Sequence, residues 1–444
     1  MRFEISRGGS GLTYEIRNIV LIANKLKEYG VDIIWENIGD PVQKGEKIPG
    51  WMKDVLTDII KDDASFAYSP TKGVDSTRQF LAERLNKRGG AQITPENIIF
   101  FNGLGDAIAR AYSSIQVDAR MIMPEPTYST HFMAEVLHAS FPPNTYRLNP
   151  YNGWHPDMRE LEQKVRSHKA IVGILVINPD NPTGFVYPEE TLRNVVRIAK
   201  ENDLFLVFDE TYINIVFNGK RTVPLSDIVG DVPAISMKGI SKELPWPGSR
   251  CGWMEVYNAG KDPIFDRFIN TILHQKMSEV CSTTLPQLAI PKIMTHPEYF
   301  NYLDKRKKHY EKLSNIAYNI LKDVPCLMVN KTDGAFYMTI VFNESGLNSN
   351  QTLHIQNKEI REFVENLVKE PIEHDKRFVY YLLAATGICV VPLTSFFTPL
   401  LGFRMTLLDK DEAEFEHTIK TIAEKFTEYT NSSGKGIQTA INLS

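Results

Sequence analysis

The sequence predicts an α/β protein: a large domain whose mostly parallel central sheet is sandwiched by helices, plus a smaller α+β domain. Three observations carry this. The runs "IVGILVI" (171–177) and "LFLVF" (204–208) are apolar without alternation, as in parallel strands buried on both faces. From about residue 95, strand candidates alternate with helical or loop stretches, the rhythm of a sheet with crossover helices. After residue 290 the pattern changes to one long charged helix candidate and mixed strands. The expected division is 46–294 for the large domain, with 1–45 and 295–444 forming the smaller one.

The elements follow in order. Residues 13–29 carry Ile16, Ile19, Val20, Ala23 and Leu26 on one helical stripe ended by Gly30. "DIIWENIGDP" (32–41) reads as a short strand and turn. Strand candidates lie at 97–101, 120–124, 170–178, 204–210, 234–239 and 251–257. Pro188, expected at the first helical position, opens "YPEETLRNVVRIAKEN" with Glu189 and Glu190 in its first turn. The charged helix candidate spans 298–324, followed by the strands "AFYMTIVF", "GICVVPL" and "GFRMTLL" and a last helix at 411–428. Residues 344–376 read as an extra polar loop and helix. The polar tail 431–444 is expected to lack order.

Composition narrows the function classes. The 444 residues are 43% hydrophobic and 23% charged with a net charge of −4, ordinary for a globular chain. No basic block offers a footprint for nucleic acid or an anionic membrane. The four cysteines, Cys251, Cys281, Cys326 and Cys389, are far apart and form no CxxC pair, so neither a metal knuckle nor a disulfide framework is expected. The longest apolar run, "AIVGILVI", is too short to span a bilayer, and the N-terminus has no apolar core of a signal peptide. A cytoplasmic protein without membrane or metal partners is expected.

In open α/β sheets ligands bind beyond the carboxyl ends of the strands, so the loops there matter most. "NGLGDAI" (102–108) places Gly103, Leu104 and Gly105 at a turn into a helix, whose free N–H groups suit an anion; a plain tight turn explains it equally. It is not GxGxxG, and no nicotinamide fingerprint follows. In "NPDNPTG" (178–184) either X-Pro bond is a candidate for cis. There the Asn181 amide can donate to a ring oxygen or simply close an Asx-turn. "DETY" delivers Asp209 to the end of a buried strand, where a carboxylate needs a partner. A protonated heteroaromatic nitrogen, an arginine or a helix N-terminus would each serve, and Tyr212 can present a hydroxyl to the same place. In "ISKELPWPGSRCGW" (240–253), prolines and Gly248 stiffen a loop holding Lys242 and Arg250 eight positions apart. A lysine in a dry site becomes a usable amine nucleophile, as a Schiff base requires.

Taken together, "YSPTKG", "NGLGDAI", "PEPTY", "NPDNPTG", "DETY", "SKELPWPGSRCGW", "GAFY" and "FRMTLL" resemble the class I/II aminotransferases of fold-type I, which use pyridoxal 5′-phosphate. The resemblance runs over nearly the whole chain. It implies that Lys242 forms the internal aldimine and shuttles the substrate proton by way of a quinonoid-type intermediate. It implies that Asp209 pairs with the pyridine nitrogen, and that Tyr212 and Asn181 hold the phenolic oxygen. Gly103, Leu104 and Gly105, with Ser241 and Arg250, hold the phosphate, and Tyr128 stacks on the ring. Arg404 clamps the substrate α-carboxylate, with Ile38 and Gly39 on the substrate side. Tyr68 reaches the phosphate of a neighbouring subunit, so a homodimer with shared active sites is expected, acting on an amino acid and a 2-oxo acid.

Three departures bear on specificity. Gly239 stands where the family often has a phosphate-binding serine. "PLTSFF" places Leu393 and Phe397 where glycines are usual, and 344–376 is an insertion. A β-lyase or decarboxylase uses the same lysine and cofactor, so that alternative stays open at the level of sequence. A regulator built on this fold is disfavoured by the retained Lys242, and the identity of the amino acid stays open.

Overall fold

Seven consecutive apolar residues leave Ile171–Ile177 no polar face, and the fold covers both of its faces. The structure, a computed structural model, describes residues 15–432. The expected disordered tail therefore lies, beyond Ser432, outside the described residues, as do residues 13 and 14 of the first helix candidate.

In chain order the strands are β1 (Ile34–Trp35), β2 (Ile98–Phe101), β3 (Arg120–Glu125), β4 (Asn144–Asn149), β5 (His155–Pro156), β6 (Ile171–Ile177) and β7 (Phe205–Asp209). They continue with β8 (Ala234–Gly239), β9 (Gly252–Tyr257), β10 (Leu327–Val329), β11 (Tyr337–Phe342), β12 (Ile388–Cys389), β13 (Val391–Pro392) and β14 (Gly402–Thr406). The eight-stranded main sheet has the order β2-β9-β8-β7-β6-β3-β4-β5. Its centre, β4-β3-β6-β7-β8, is parallel; β9 on one side and β5 on the other run against it, and β2, antiparallel to β9, runs with the centre. Strand β4 has no counterpart among the sequence expectations. Its residues are buried only alternately, so it lacks the continuous apolar run that marks β6 and β7.

The alternation of side chains across the sheet explains why continuous apolar strands are needed. Ile98, Phe100, Ile174, Val176, Leu206 and Phe208 join one hydrophobic cluster. Their neighbours Ile99, Phe101, Leu175, Ile177 and Val207 join another on the opposite face. A polar residue at either set would lie under a helix layer. Full burial of each such side chain contributes roughly 1.5–3 kcal/mol.

A four-stranded antiparallel sheet, β10-β11-β14-β13, builds a second layered unit with the helices Tyr299–Leu321, His374–Thr386 and Glu412–Asn431. The pair β1-β12 ties the N-terminal segment to it. Helix Glu15–Glu28 matches the apolar stripe and stops at Gly30, whose φ of +86° suits glycine. Pro188 sits one position earlier than expected. It is the cap of helix Glu189–Glu201, with ψ 148°, so its extended backbone leads into the helix and both glutamates keep the first turn. Residues 344–376 contain a short 3-10 turn and the helix Lys358–Leu367. Gln351, buried, anchors the stretch by donating to Gly346 O and Thr430 O. Among the described residues no helix is long and apolar enough to cross a membrane.

Candidate active site

Parallel pairing brings the carboxyl ends of β6, β7 and β8 to one edge, where Asp209 lies in register with Ile177 and Met237. The loops beyond these ends enclose a cavity of about 150 Å³. Leu104, Gly105, Tyr128, Asn181, Asp209, Tyr212, Ser241, Lys242 and Arg250 line it together with Thr211 and Gly239. Loops separated by well over a hundred positions thus meet at one site.

Asp209 is buried and held from three sides. Its Oδ1 accepts from the backbone N and the Oγ1 of Thr211, at 3.0 and 2.6 Å. Its Oδ2 lies 3.2 Å from Nε2 of the fully buried His131. An ionised carboxylate only accepts, so His131 donates to Asp209 from Nε2, while Tyr112 Oη lies 3.3 Å from Nδ1 on the other side of the ring. Burial alone raises the Asp209 carboxyl, but the hydrogen bonds from His131 and Thr211 prevail and hold it below its usual range. The residue therefore presents a negative charge to the cavity. The structural partner is this histidine, supplied by helix Ser129–Ala139, rather than an arginine or a helix N-terminus.

The stiff loop after β8 points Lys242 into the same cavity. Its backbone is clamped from outside: buried Arg306 donates from Nη1 to Lys242 O at 2.9 Å and to Glu243 O at 2.6 Å. Arg306 is itself paired with Glu46. Lys242 Nζ donates to Gly39 O at 2.5 Å, so the N-terminal segment lies directly over the amine. The neighbouring Lys238 is sequestered, bound to Glu255 at 2.8 Å and Glu210 at 3.4 Å, and does not line this cavity.

At the cavity's other end, Gly103 caps helix Leu104–Ser113 with φ +83°. A Cβ there would overlap the Arg250 guanidinium, so glycine is required for the close approach. Arg250 Nη1 donates to Pro247 O at 3.0 Å and Nη2 to Asn102 O at 3.4 Å. A guanidinium and a helix N-terminus therefore converge, the combination that holds an anion. Gly239 leaves no hydroxyl here. A Cβ at that position would come within 3.2 Å of Cys251 O, tight against the adjacent strand.

The smaller sheet contributes a second buried cation. Arg404, on β14 and buried, donates from Nη2 to Asn37 O at 2.6 Å. Its guanidinium lies 4.4 Å from the Tyr337 ring centre and 5.2 Å from that of Phe396. Tyr212 Oη donates to Tyr337 Oη at 3.1 Å. Burial, and then Tyr337, push the Tyr212 phenol well above its usual range, so it stays protonated and able to donate. A Cβ on Gly39 would overlap Tyr337 Oη. Gly39→Ala is accordingly expected to lower stability by about 1–3 kcal/mol, read by denaturant unfolding. Adding Tyr337→Phe should recover part of the loss.

The departures from the family pattern have local explanations. Phe397 takes the left-handed conformation that a glycine would, with φ +59°. It stacks on Phe132 with ring centres 3.5 Å apart and planes 4° from parallel. The conformation carries a backbone cost of roughly 1–2 kcal/mol, set against the apolar surface that the two rings cover between them. The loop is also tied to "PEPTY" by Thr127 N donating to Phe396 O. Buried Asp375 holds it too, accepting from Thr394 N and Oγ1 at 2.9 and 3.0 Å. In "NPDNPTG" the turn is closed by Asp180, whose Oδ2 accepts from Thr183 N and Oγ1. Asn181 is left free of that task, and its Oδ1 is buried without a hydrogen-bond partner. Both Asn178–Pro179 and Glu125–Pro126 are cis.

Tyr68 does not join the cavity; it is 83% exposed on the surface. Four contributors escaped sequence reasoning: His131, Thr211, Arg306 and Tyr337. Thr211 sits inside "DETY" and Tyr337 inside "GAFY", so proximity to the motifs was the available signal. Nothing local marks His131 or Arg306, which act across 78 and 64 positions. Among the described residues, no group of three or more His, Cys, Asp or Glu is placed to hold a metal.

Comparison with known proteins agrees with this geometry. The model of the family "Aminotransferase class I and II" matches residues 32–422. An uncharacterized aminotransferase of Methanocaldococcus jannaschii is 55% identical over 425 residues, covering 96% of this chain and 98% of the relative. The glutamate-pyruvate aminotransferase AlaA of Escherichia coli is 29% identical over 329 residues, covering 73% and 79%. The alanine aminotransferase structure from Pyrococcus furiosus superposes with a TM-score of 0.81 at 25% identity, covering 95% of this chain and 99% of that one. The chain belongs to the class I and II aminotransferase family: it is an enzyme that carries an amino group from an amino acid to a 2-oxo acid.

Proposed function

We propose that the cavity holds pyridoxal 5′-phosphate, with Lys242 as its covalent anchor and Asp209 as the counter-charge of its ring nitrogen. The observation that carries this is the presence of an amine, a buried carboxylate and an anion cradle in one enclosure, all facing the same cavity. The donor set fits the group. The Asn181 amide, whose Nδ2 is a donor, and the protonated Tyr212 suit the ring's oxygen. The backbone at Gly103, Leu104 and Gly105, with Ser241 and Arg250, suits a phosphate, and Tyr128, which lines the cavity, would cover the ring face. When bound, the cofactor withdraws electron density from the substrate's α-carbon, so that its C–H bond can break.

The chain's own residues do the rest. Lys242 Nζ takes and returns the proton at the substrate α-carbon, a task for a positioned amine. Asp209 stays ionised because His131 and Thr211 hold it so. Arg404 clamps the α-carboxylate, with Ile38 and Gly39 closing the substrate side. Arg404→Ala is expected to weaken amino-acid binding by about 2–5 kcal/mol, as for other truncated buried charge pairs. Its KM should rise much more than its kcat falls.

The grouping of the N-terminal segment with the smaller domain is supported by an apolar cluster joining Ile19–Leu26 to side chains from Tyr310 onward, into which Tyr212, Ile215 and Phe217 of the large domain also pack. A homodimer is supported by exposed Phe66, Tyr68, Met277 and Val280. Their segments are stitched together by Thr71 donating to Val280 O and Thr284 donating to Ala67 O. Tyr68 would then complete the phosphate site of a second copy, and the enzyme would work in the cytoplasm. Glutamate with pyruvate, and alanine, are the substrates to try first, because relatives are named for acting on them. The deciding experiment is borohydride reduction of the purified holoenzyme followed by peptide mass mapping. The cofactor is expected on Lys242, and a label on any other lysine, or none, overturns the assignment.

A further inference from the structure

We propose that Tyr337 is a positioning residue that joins the carboxylate clamp to the cofactor-facing phenol, its ring seating Arg404 and its hydroxyl supporting Tyr212. This rests on the reading of the cavity as a pyridoxal-phosphate site. Tyr337 is buried on β11 and touches three functional groups at once. Arg404 and Thr339 are cross-strand partners on β14 and β11, so Tyr337, two residues from Thr339, is the diagonal neighbour of Arg404. That register sets the guanidinium over the ring at 4.4 Å, the geometry of a cation–π contact. The other end of the phenol lies 3.1 Å from Tyr212 Oη. Its flank faces Gly39, where no side chain can fit beside it.

The hydroxyl pair works in either sense. With no acceptor from a ligand, Tyr212 donates to Tyr337. When Tyr212 instead donates to a ring oxygen, the same 3.1 Å separation lets Tyr337 turn its proton and donate to Tyr212. Hydrogen bonds in such a chain polarise one another, so Tyr337 strengthens the donation that Tyr212 makes. A donor to the ring oxygen favours the deprotonated chromophore, in which that oxygen's negative charge is least shared. Weakening the donor therefore raises the pH at which the chromophore loses its proton. The ring's effect is separate: without it, Arg404 keeps its bond to Asn37 O and its contact with Phe396 but loses the nearer ring face.

Two variants of the holoenzyme separate the two functions. Tyr337→Phe keeps the ring and removes the hydroxyl. Its visible absorption band should titrate at higher pH by about 0.3–1 unit, less than for direct loss of Tyr212, with the inhibition constant for propionate unchanged. Tyr337→Leu should show the same spectral shift and also weaken propionate inhibition by about 3- to 30-fold. An unmoved spectral midpoint in Tyr337→Phe overturns the role of the hydroxyl, because a merely structural tyrosine leaves the chromophore's titration alone. Unchanged propionate inhibition in a Tyr337→Leu protein that melts normally overturns the role of the ring. Absence of any Lys242-dependent band in the unsubstituted protein overturns the cofactor reading and this inference with it. A normal band with both variants silent overturns this inference alone.

Discussion

Lys242→Ala is expected to lower kcat by at least about 10⁴-fold, the upper range for loss of a positioned general base, since the covalent anchor disappears with it. The expectation rests on geometry that singles this amine out. Lys242 is carried on a loop whose carbonyls are gripped by Arg306, and its Nζ faces the cavity with Asp209 and Tyr212. Lys238, four residues earlier, is the instructive contrast. Burial lowers its proton affinity, but Glu255 and Glu210 more than compensate, and it stays a charged member of a closed network. Lys238→Met should therefore cost stability, by about 3–5 kcal/mol for a broken buried pair, while leaving the Lys242 label intact. Steady-state kinetics, denaturant unfolding and mass mapping on the two variants give a crossed result. Activity surviving in Lys242→Ala would remove the central assignment.

Asp209→Asn should lower kcat by about 10²–10³-fold, as when a preorganised electrostatic partner is removed, with a smaller change in KM. Asparagine fills the same space and can still bond Thr211, so the variant tests charge rather than shape. The substitution also has a signature in stability. The Asp209 carboxyl is held below its ordinary value of 3.8, so its contribution is present above that value and is lost as pH falls through the folded-state value. Asp209→Asn removes this contribution, and its acid-unfolding curve should be flatter over that window than the parent's. Equal kinetics for parent and variant would mean that the carboxylate serves only His131.

How much of this was legible in the sequence follows from the range of the interactions. Strands β6 and β7 announce themselves because burial on both faces forbids polar residues, and the loops after them inherit their positions from the sheet. Asp209 and Asn181 could be singled out for that reason, and Lys242 and Arg250 because a proline-stiffened loop after the next strand holds both. Strand β4 escaped because its half-covered residues carry no continuous run. Asp180 rather than Asn181 closes the "NPDNPTG" turn, since either side chain can do so and only the folded loop decides. His131 and Arg306 were invisible because each is an ordinary polar residue on a helix. Each gains its role only from a partner brought near by tertiary packing. The insertion 344–376 looked like a candidate for substrate control, yet its anchoring residue Gln351 is bonded to the final helix. Its link toward the site runs through Asp375, which lies at its far end and holds the Phe397 loop.

The Asn37–Arg404 hydrogen bond joins residues 367 positions apart, and this has a consequence for how the enzyme comes into being on the ribosome. Every group of the cofactor cradle, from Gly103 to Arg250, is synthesised long before β14. At about 5–20 residues per second, roughly 8–30 s separate the emergence of Arg250 from that of Arg404. A chain released in this interval carries the amine, the carboxylate and the anion-binding turn but lacks Arg404 and, when released early, also the Arg306 that grips the Lys242 loop.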